Sequence, residues 1–86
     1  MEPFLHKNFK KQFQKLPLNV QGQFFKRVDL FLKDKYNPLL NNHSVASAYP
    51  GCRSINITGD YRALYEKKSE NFIVFIKIGT HSELYS

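Results

Sequence analysis

The chain has 86 residues, which is enough for one small domain over residues 1–86 and too few for two. Hydrophobic residues make up 42% of it, with eight Phe and five Tyr, so a folded core is expected and a disordered chain is excluded. The single Cys excludes an internal disulfide and a multi-cysteine zinc site. Thirteen Lys and Arg against seven Asp and Glu give a net charge of +6, which favours a polyanionic partner: nucleic acid, an acidic protein or a membrane surface.

Two amphipathic helices are predicted at the N-terminus. Apolar residues recur every three or four positions over residues 6–16, and again from Pro17 to about Lys35, while lysines occupy the outer face of the first helix. Asn8 is a candidate cap, and Pro17 suits the first turn of the second helix. Residues 1–43 hold eight basic and three acidic side chains, a net of +5, so most of the charge excess lies on this half.

The second half of the sequence is predicted to form a small sheet. Residues 36–51 lack a period and are expected to form a loop or an irregular crossing. Beyond them the polar and apolar residues alternate, with Gly59-Asp60 and Lys67–Asn71 as turns and Gly79-Thr80-His81 as a break. The predicted strands are Arg53–Thr58, Tyr61–Glu66 and Phe72–Ile78, followed by a short tail or edge strand at Ser82–Ser86.

These elements predict a two-layer α+β fold. The connections are too short for parallel crossovers, so the strands form an antiparallel meander. An antiparallel helical hairpin covers one face of the sheet, and the other face is partly open. The longest apolar run, Phe72 to Ile76, is far shorter than a membrane span, and residues 1–7 have no apolar run of signal-peptide length. We therefore expect a cytoplasmic protein, kept reduced, with no membrane partner.

A candidate site follows from the predicted strand pairing. Antiparallel pairing brings the start of one strand beside the end of its neighbour, so Asp60–Arg62 and His81–Tyr85 are expected to converge at one edge of the sheet. Arg53 begins the preceding strand at the opposite end and is a weaker member of this group. The three His have no metal-ligand spacing, so neither a metal nor another cofactor is predicted. Cys52 beside Pro-Gly is more often incidental than a nucleophile.

The convergent side chains are those that metal-independent RNA cleavage needs. A histidine can take the proton from a 2′-hydroxyl or give one to the 5′-oxygen. A guanidinium binds phosphate, and an aromatic ring stacks on an unpaired base. Each residue also has a plain structural role: Asp60 in the turn, Arg62 paired with Glu66 or Glu83, His81 capping the strand, and the tyrosines at the core edge.

Two motifs resemble one protein family. Gly59-Asp60-Tyr61-Arg62 and Gly79-Thr80-His81-Ser82, the latter followed by Leu84-Tyr85, are similar to motifs of the RelE/ParE toxin superfamily, most of all its YafQ-type messenger-RNA interferases. His43 and the Lys-rich helices also fit that family. The resemblance implies a RelE-like fold and a toxin of a type II toxin–antitoxin pair, which enters the ribosome, cuts mRNA and is neutralised by its cognate antitoxin, with which it can form a hetero-oligomer.

The resemblance also assigns roles to residues. It implies that His81 and Asp60 are the catalytic pair, that Arg62 stabilises the transition state, and that His43 is a second acid/base group or a phosphate contact. Tyr85 matches the family's aromatic residue near the C-terminus, and Tyr61 stands where YafQ-type enzymes carry Trp. The remaining predicted substrate contacts are Asn56, Arg53, Lys10 and Lys11.

The sequence departs from the family at two places. Asn56 replaces a further active-site His, and an amide transfers no proton at neutral pH. The family's N-terminal strand has almost no room before Phe9, so residues 1–5 form a vestige of it or nothing. Two other functions stay open: a ParE-like toxin that binds DNA gyrase, and a degenerate toxin that only binds its antitoxin.

Overall fold

In a computed structural model, which describes residues 2–85, two helices and a C-terminal helical turn pack against the two faces of a five-stranded mixed sheet. Among these residues no helix has the length and apolar character that a membrane crossing requires. The elements in chain order are β1 (Glu2–Leu5), α1 (Lys7–Gln14), α2 (Leu18–Lys33), a 3₁₀ turn (Pro38–Leu40), β2 (His43–Ser44), β3 (Cys52–Asn56), β4 (Tyr61–Ser69), β5 (Phe72–Thr80) and α3 (His81–Tyr85).

The strand order in the sheet is β1-β5-β4-β3-β2. The three pairings among β2, β3, β4 and β5 are antiparallel, as the short connections predicted. The pairing of β1 with β5 is parallel and ends at Leu5, opposite Phe75. Beyond that point no described strand pairs with β5 on this side, and the side-chain oxygen of Gln12 on α1 accepts the Ile78 N–H at 3.0 Å.

The main core lies between the helices and the sheet. Phe9 of α1 and Phe24 of α2 meet with ring centroids 5.2 Å apart, and both rings also contact Phe75 of β5. Phe31, two turns further along α2, packs edge-on against Tyr65 of β4. The buried aromatic residues are therefore the ones that the helical spacing placed on the inner faces of α1 and α2.

A smaller cluster lies on the other face of the sheet and contains Val45, Cys52, Leu64 and Leu84. It is covered by α3 and by the turn after β2. A bulge contributes to it: Leu64 pairs with Lys77 and Tyr65 with Phe75, so Ile76 is the extra residue in β5 and packs against this cluster. This face is thus partly covered and partly open, as predicted.

Three sequence predictions need correction. The tail from Ser82 is not an edge strand, because His81–Tyr85 form α3. Gly79 and Thr80 do not break β5, which runs through both. The cap of α1 is His6 and not Asn8: the His6 Nδ1 accepts the Asn8 N–H at 3.1 Å.

The N-terminal strand, for which the sequence left little room, is formed by Glu2–Leu5; Met1 lies outside the described residues, as does Ser86. The region predicted as an irregular loop over residues 36–51 contains a 3₁₀ turn and the two-residue strand β2.

Candidate functional site

An open pocket of about 230 Å³ lies on the sheet face opposite α1 and α2. Most of its lining residues are polar, and they come from four separate parts of the chain. The lining residues are His43, Ser44, Val45, Ser47, Ala48, Ser54, Arg62, His81 and Tyr85. Four of these, His43, Arg62, His81 and Tyr85, were predicted catalytic residues.

The pairing of β4 with β5 brings the two predicted motifs together. Tyr61 lies opposite Thr80, and Arg62 lies opposite Gly79. The His81 N–H donates to the Asp60 carbonyl at 3.1 Å, which joins the turn before β4 to the first residue of α3. The predicted convergence of Asp60–Arg62 with His81–Tyr85 is therefore confirmed.

A capping box starts α3 and so orients His81. The Glu83 N–H donates to the Thr80 hydroxyl at 3.1 Å, and the Thr80 N–H donates to the Glu83 carboxylate at 2.7 Å. The hydrogen bonds from Thr80 hold the pKa of Glu83 below its ordinary value. The Thr-x-x-Glu spacing is a helix-start signal in the sequence, and the edge-strand prediction overlooked it.

Tyr49 holds the C-terminal end of α3 in place. Its hydroxyl donates to the Leu84 carbonyl, and its ring packs edge-on against Tyr85 at a centroid distance of 5.9 Å. Tyr85 in turn packs against the His81 ring at 4.7 Å. Burial is the main cause that raises the pKa of Tyr85, so its phenol stays protonated at neutral pH. Sequence reasoning missed Tyr49 because it lies in a loop 35 residues before the residue that it binds.

His43 is exposed on β2, which pairs with β3 at Ser54. Its Nδ1 lies 2.7 Å from the Asn41 carbonyl oxygen. A ring nitrogen must carry the hydrogen to bond a carbonyl, and the neutral imidazole then has its free lone pair on Nε2. Asn41 adopts the left-handed conformation with φ 45°, which turns the chain into β2.

Arg62 binds the turn before its own strand. Its Nη1 lies 3.0 Å from the Thr58 and Gly59 carbonyls and 3.1 Å from that of Tyr61. The pairing with Glu66 or Glu83 considered from the sequence is therefore not observed. Within residues 2–85 these bonds use Nη1 alone, so the Nε and Nη2 hydrogens have no protein acceptor there.

Asn56 lies beside Arg62, its partner across β3 and β4. Its side-chain oxygen is buried and has no hydrogen-bond partner among the described residues. Asn56 is not among the residues that line the pocket, but it neighbours Arg62, which is. Buried polar atoms are nearly always paired, so this unpaired oxygen is a candidate contact for a ligand.

The other predicted site residues lie elsewhere. Asp60 is an exposed turn residue whose contact with His81 runs through the main chain. Tyr61 packs toward the helix-side core. Lys10 and Lys11 are exposed on α1, which packs on the opposite face of the sheet from the pocket.

Arg53 also lies away from the pocket. It pairs with Tyr65, which belongs to the helix-side core. Its Nε donates to the Asn42 side-chain oxygen at 2.8 Å, and its guanidinium lies 5.8 Å from the centre of the Tyr36 ring. These contacts tie the loop before β2 to the sheet.

In the described part of the chain, no three His, Cys, Asp or Glu side chains gather closely enough to hold a metal ion. Cys52 is a buried free thiol, and burial raises its pKa, which disfavours the nucleophilic thiolate.

Comparison with solved structures places the fold among toxins. YafQ from E. coli matches with a TM-score of 0.81 and 15% identity over 99% of this chain and 98% of that chain. A copper-bound mutant toxin from Helicobacter pylori matches with a TM-score of 0.75 and 28% identity over 99% of both chains. YafQ in the E. coli DinJ–YafQ complex matches with a TM-score of 0.70 and 17% identity over 99% of this chain and 98% of that chain. The YafQ identities are low enough that these likenesses show the fold alone.

No curated protein matches the sequence significantly. The family model described as the ParE toxin of the type II toxin–antitoxin system parDE matches residues 4–85, nearly the full length of the chain. The predicted RelE/ParE resemblance and the α+β fold are thus confirmed. The chain belongs to the ParE toxin family of type II toxin–antitoxin systems, within the RelE/ParE superfamily.

Proposed function

We propose that this toxin is a ribosome-associated endoribonuclease, which cuts mRNA by metal-independent attack of a 2′-hydroxyl on the adjacent phosphate and thereby inhibits translation. One observation carries the proposal: two histidines and an arginine from separate elements line the same open pocket. Two histidines can supply the proton acceptor and the proton donor that this reaction needs. An arginine can stabilise the charge that develops on the phosphate.

His43 is the better proton acceptor of the pair. Its Nδ1 hydrogen is engaged by the Asn41 carbonyl, so the Nε2 lone pair is free to take the proton of the 2′-hydroxyl. The 2′-oxygen then bonds to phosphorus as the bond to the 5′-oxygen breaks. His81 gives its proton to that 5′-oxygen. The products are a 2′,3′-cyclic phosphate, which can open to a 3′-phosphate, and a 5′-hydroxyl end.

Asp60 contributes in a different way from the predicted catalytic carboxylate. Its carbonyl accepts the His81 N–H, so it positions the histidine through the main chain. The Nε and Nη2 groups of Arg62 bind the phosphate, since Nη1 is held by the turn carbonyls. Tyr85 stacks on a base beside His81, and the Asn56 amide hydrogen-bonds the substrate next to Arg62.

Docking on the ribosome is assigned to the basic helices. Lys10 and Lys11 are exposed on α1 and contact rRNA phosphates away from the cleavage pocket. Each phosphate contact releases counterions, so binding should weaken steeply as salt rises. We also propose that a cognate antitoxin binds and neutralises the toxin, which the DinJ–YafQ complex supports through a protein of the same fold.

The test is induced expression of the wild type, His81→Ala and Ser82→Ala, with transcript 5′ ends sequenced after induction. Both substituted residues are exposed neighbours on α3, so Ser82→Ala is the matched control for changes to the helix surface. Loss of a general acid should lower cleavage roughly 10²–10⁴-fold. We expect codon-phased, translation-dependent cuts from the wild type and Ser82→Ala, and none from His81→Ala.

Growth arrest of equal strength with wild type and His81→Ala would remove His81 from the mechanism. Arrest with DNA-damage signalling and no transcript cuts would favour a ParE-like toxin that binds DNA gyrase. This second function is favoured by the ParE family match and by an amide at Asn56 in place of a proton-transfer group. The absence of any arrest would indicate a degenerate toxin that only binds its antitoxin.

A further inference from the structure

We propose that the sheet edge at β2 carries a second RNA contact, where an unpaired base of the substrate strand stacks on Tyr36 and the adjoining phosphate binds Arg53 and Lys35. The site, here called the edge site, consists of Lys35, Tyr36, Asn42 and Arg53. It shares no residue with the lining of the cleavage pocket. The inference rests on the proposed RNA substrate but not on the residues proposed to cleave it.

Tyr36 presents an exposed aromatic ring beside two cations. The residue is 61% exposed, although a tyrosine ring has an apolar body that usually packs against other residues. The Lys35 Nζ lies 5.5 Å from the ring centre and the Arg53 Cζ lies 5.8 Å from it. Both distances exceed the about 3.5–4.0 Å of a close contact, so neither charged group is stacked on the ring. An exposed ring with basic groups beside it is the arrangement by which proteins bind single-stranded nucleic acid.

Arg53 adds a half-buried positive charge that no described carboxylate neutralises. The ion pairs found among the described residues lie in β4 and the turn after it, and neither includes Arg53. The Nε and Nη2 of Arg53 donate to the side chain and the carbonyl of Asn42, which is uncharged. Removing a charge from water is costly unless it is paired, so this guanidinium favours an anionic partner. A phosphate of RNA is suited to it, because guanidinium groups bind phosphate oxygens through parallel N–H bonds.

Asn42 holds the parts of the edge site together. Its side-chain oxygen accepts the Arg53 Nε–H at 2.8 Å, and its side-chain nitrogen donates to the Lys35 carbonyl at 3.0 Å. The same nitrogen lies 2.8 Å from the Tyr65 hydroxyl oxygen. One half-buried amide therefore ties the segment after α2 to β3 and β4. A site that is already ordered loses less conformational entropy when it takes a ligand.

The edge site adjoins the cleavage pocket around a short strand. Asn42 directly precedes His43, and Arg53 directly precedes Ser54; both of these neighbours line the pocket. Consecutive strand residues face opposite sides of the sheet, so Arg53 lies on the helix side and Ser54 on the pocket side. The intervening strand β2 is at the end of the sheet and has only two residues. A strand of RNA that leaves the pocket therefore reaches the edge site by passing around β2.

The aromatic ring favours RNA over an acidic protein as the partner. A carboxylate can pair with Arg53 or Lys35, but it has no flat ring to stack on Tyr36. Every base of an unpaired RNA has such a ring, and every nucleotide also carries a phosphate. In duplex RNA the bases stack on one another, so they offer the tyrosine no face. The edge site is therefore expected to bind single-stranded RNA, with little preference for its sequence.

Fluorescence anisotropy of the full chain with a 2′-O-methyl RNA of about eight nucleotides tests the proposal. The blocked 2′-oxygen cannot attack the phosphate, so binding is measured apart from cleavage. Tyr36→Ala should weaken binding at least about fivefold, the lower limit for the loss of one stacked base. Tyr36→Phe keeps the ring and should stay within about twofold of the wild type. Leu39→Ala is the matched control, because Leu39 is 64% exposed on the neighbouring 3₁₀ turn, and its replacement should have no effect.

Lys35→Gln tests the phosphate contact through its salt dependence. One phosphate contact on a single strand contributes about 0.7 to the slope of log Kd against log salt concentration, so the slope should fall by that amount. Lys26→Gln removes the same charge from an exposed position on α2 and should leave the slope unchanged. A blunt RNA duplex should bind the wild type and Tyr36→Ala equally, because it has no unpaired base for the ring.

Equal binding of the single-stranded RNA by the wild type and Tyr36→Ala would overturn the edge site, even if the induced toxin cuts transcripts. Weaker binding by Tyr36→Ala together with uncut transcripts would support the edge site and contradict the nuclease. A glutamate-rich peptide of about eight residues that displaces the RNA, and whose own binding is unchanged in Tyr36→Ala but weakened in Lys35→Gln, would assign the site to an acidic protein.

Discussion

The two faces of the sheet are built from the same strands but differ in their packing. The face toward α1 and α2 holds a core dominated by large rings, among them Phe9, Phe24, Phe31 and Phe75. The opposite face holds a small cluster of four buried residues, and the candidate pocket lies beside it. Most of the apolar packing therefore lies on the helix side of the sheet. This leaves the other face free to carry exposed polar groups.

Strand β4 shows how one segment supplies both faces. Its side chains alternate, so Ala63 and Tyr65 enter the helix-side core while Arg62 and Leu64 face the pocket side. The bulge at Ile76 in the neighbouring strand adds one more apolar residue to the thinner face. The unequal packing predicts that substitutions of buried residues on the two faces will lower the free energy of unfolding by different amounts.

The largest effect is expected at Phe75, which is fully buried among the helix-side rings. Phe75→Ala should lower the free energy of unfolding by about 3–5 kcal/mol, measured by urea denaturation. That is a large share of the roughly 4–13 kcal/mol expected for a domain of this length. Phe75→Leu should cost less and still yield a folded chain if the alanine variant does not fold.

Leu84→Ala is the matched change on the pocket face. Leu84 belongs to the small cluster, so its removal should cost only about 2 kcal/mol, near the lower end for a buried leucine. A Leu84→Ala cost equal to or larger than that of Phe75→Ala would contradict the unequal packing of the two faces.

A smaller effect is expected at Tyr49. Tyr49→Phe keeps the ring against Tyr85 but removes the hydroxyl that binds the Leu84 carbonyl, which should lower the free energy of unfolding by about 1 kcal/mol. Amide hydrogen exchange should accelerate in α3 and stay unchanged in α1 and α2. Tyr36→Phe changes an exposed tyrosine outside the pocket and serves as the control. Equal exchange rates in α3 for both variants would show that the hydroxyl does not hold the helix.

The smallest effect concerns the start of α3 and its dependence on pH. The pKa of Glu83 is lowered in the folded chain, so its contribution to stability is present above the ordinary value of 4.5 and is lost as the pH falls through the lowered pKa. Glu83→Gln keeps an oxygen for the Thr80 N–H but does not titrate. Amide chemical shifts of α3 between about pH 7 and pH 3 should show an acid transition in the wild type and not in Glu83→Gln.

Glu70→Gln is the control, because Glu70 is an exposed carboxylate in the turn between β4 and β5. The α3 transition should persist in that variant. If it also persists in Glu83→Gln, another carboxyl group controls α3.

Much of the fold could be read from local patterns. The helices at α1 and α2, the three main strands and the Gly59-Asp60 turn were predicted because each has a clear period or turn signal within a few residues. The N-terminal strand was left open because four residues carry too little pattern to identify a strand. Its pairing partner β5 lies some 70 positions away in the chain, at Glu2 opposite Phe72.

The candidate site, like the fold, could be predicted only in part from local patterns. Strand register alone predicted that Arg62 and His81 meet, because neighbouring strands pair through a short turn. Consecutive strand residues such as Tyr61 and Arg62 point to opposite faces of the sheet. The register does not show which face the helices cover, so it could not show which of the two residues lines the pocket. Nor could it find Tyr49, which reaches α3 across a loop whose course the sequence does not specify.

The sequence by itself determined the elements, the order of the three central strands, the basic N-terminal half and the family, since these depend on periods, turns and motifs. Only the tertiary structure decided which residues share the pocket and that the Tyr49 hydroxyl holds α3. The physical reason is that those features depend on contacts between distant segments. Such contacts are selected by the packing of the whole core rather than by the preferences of neighbouring residues.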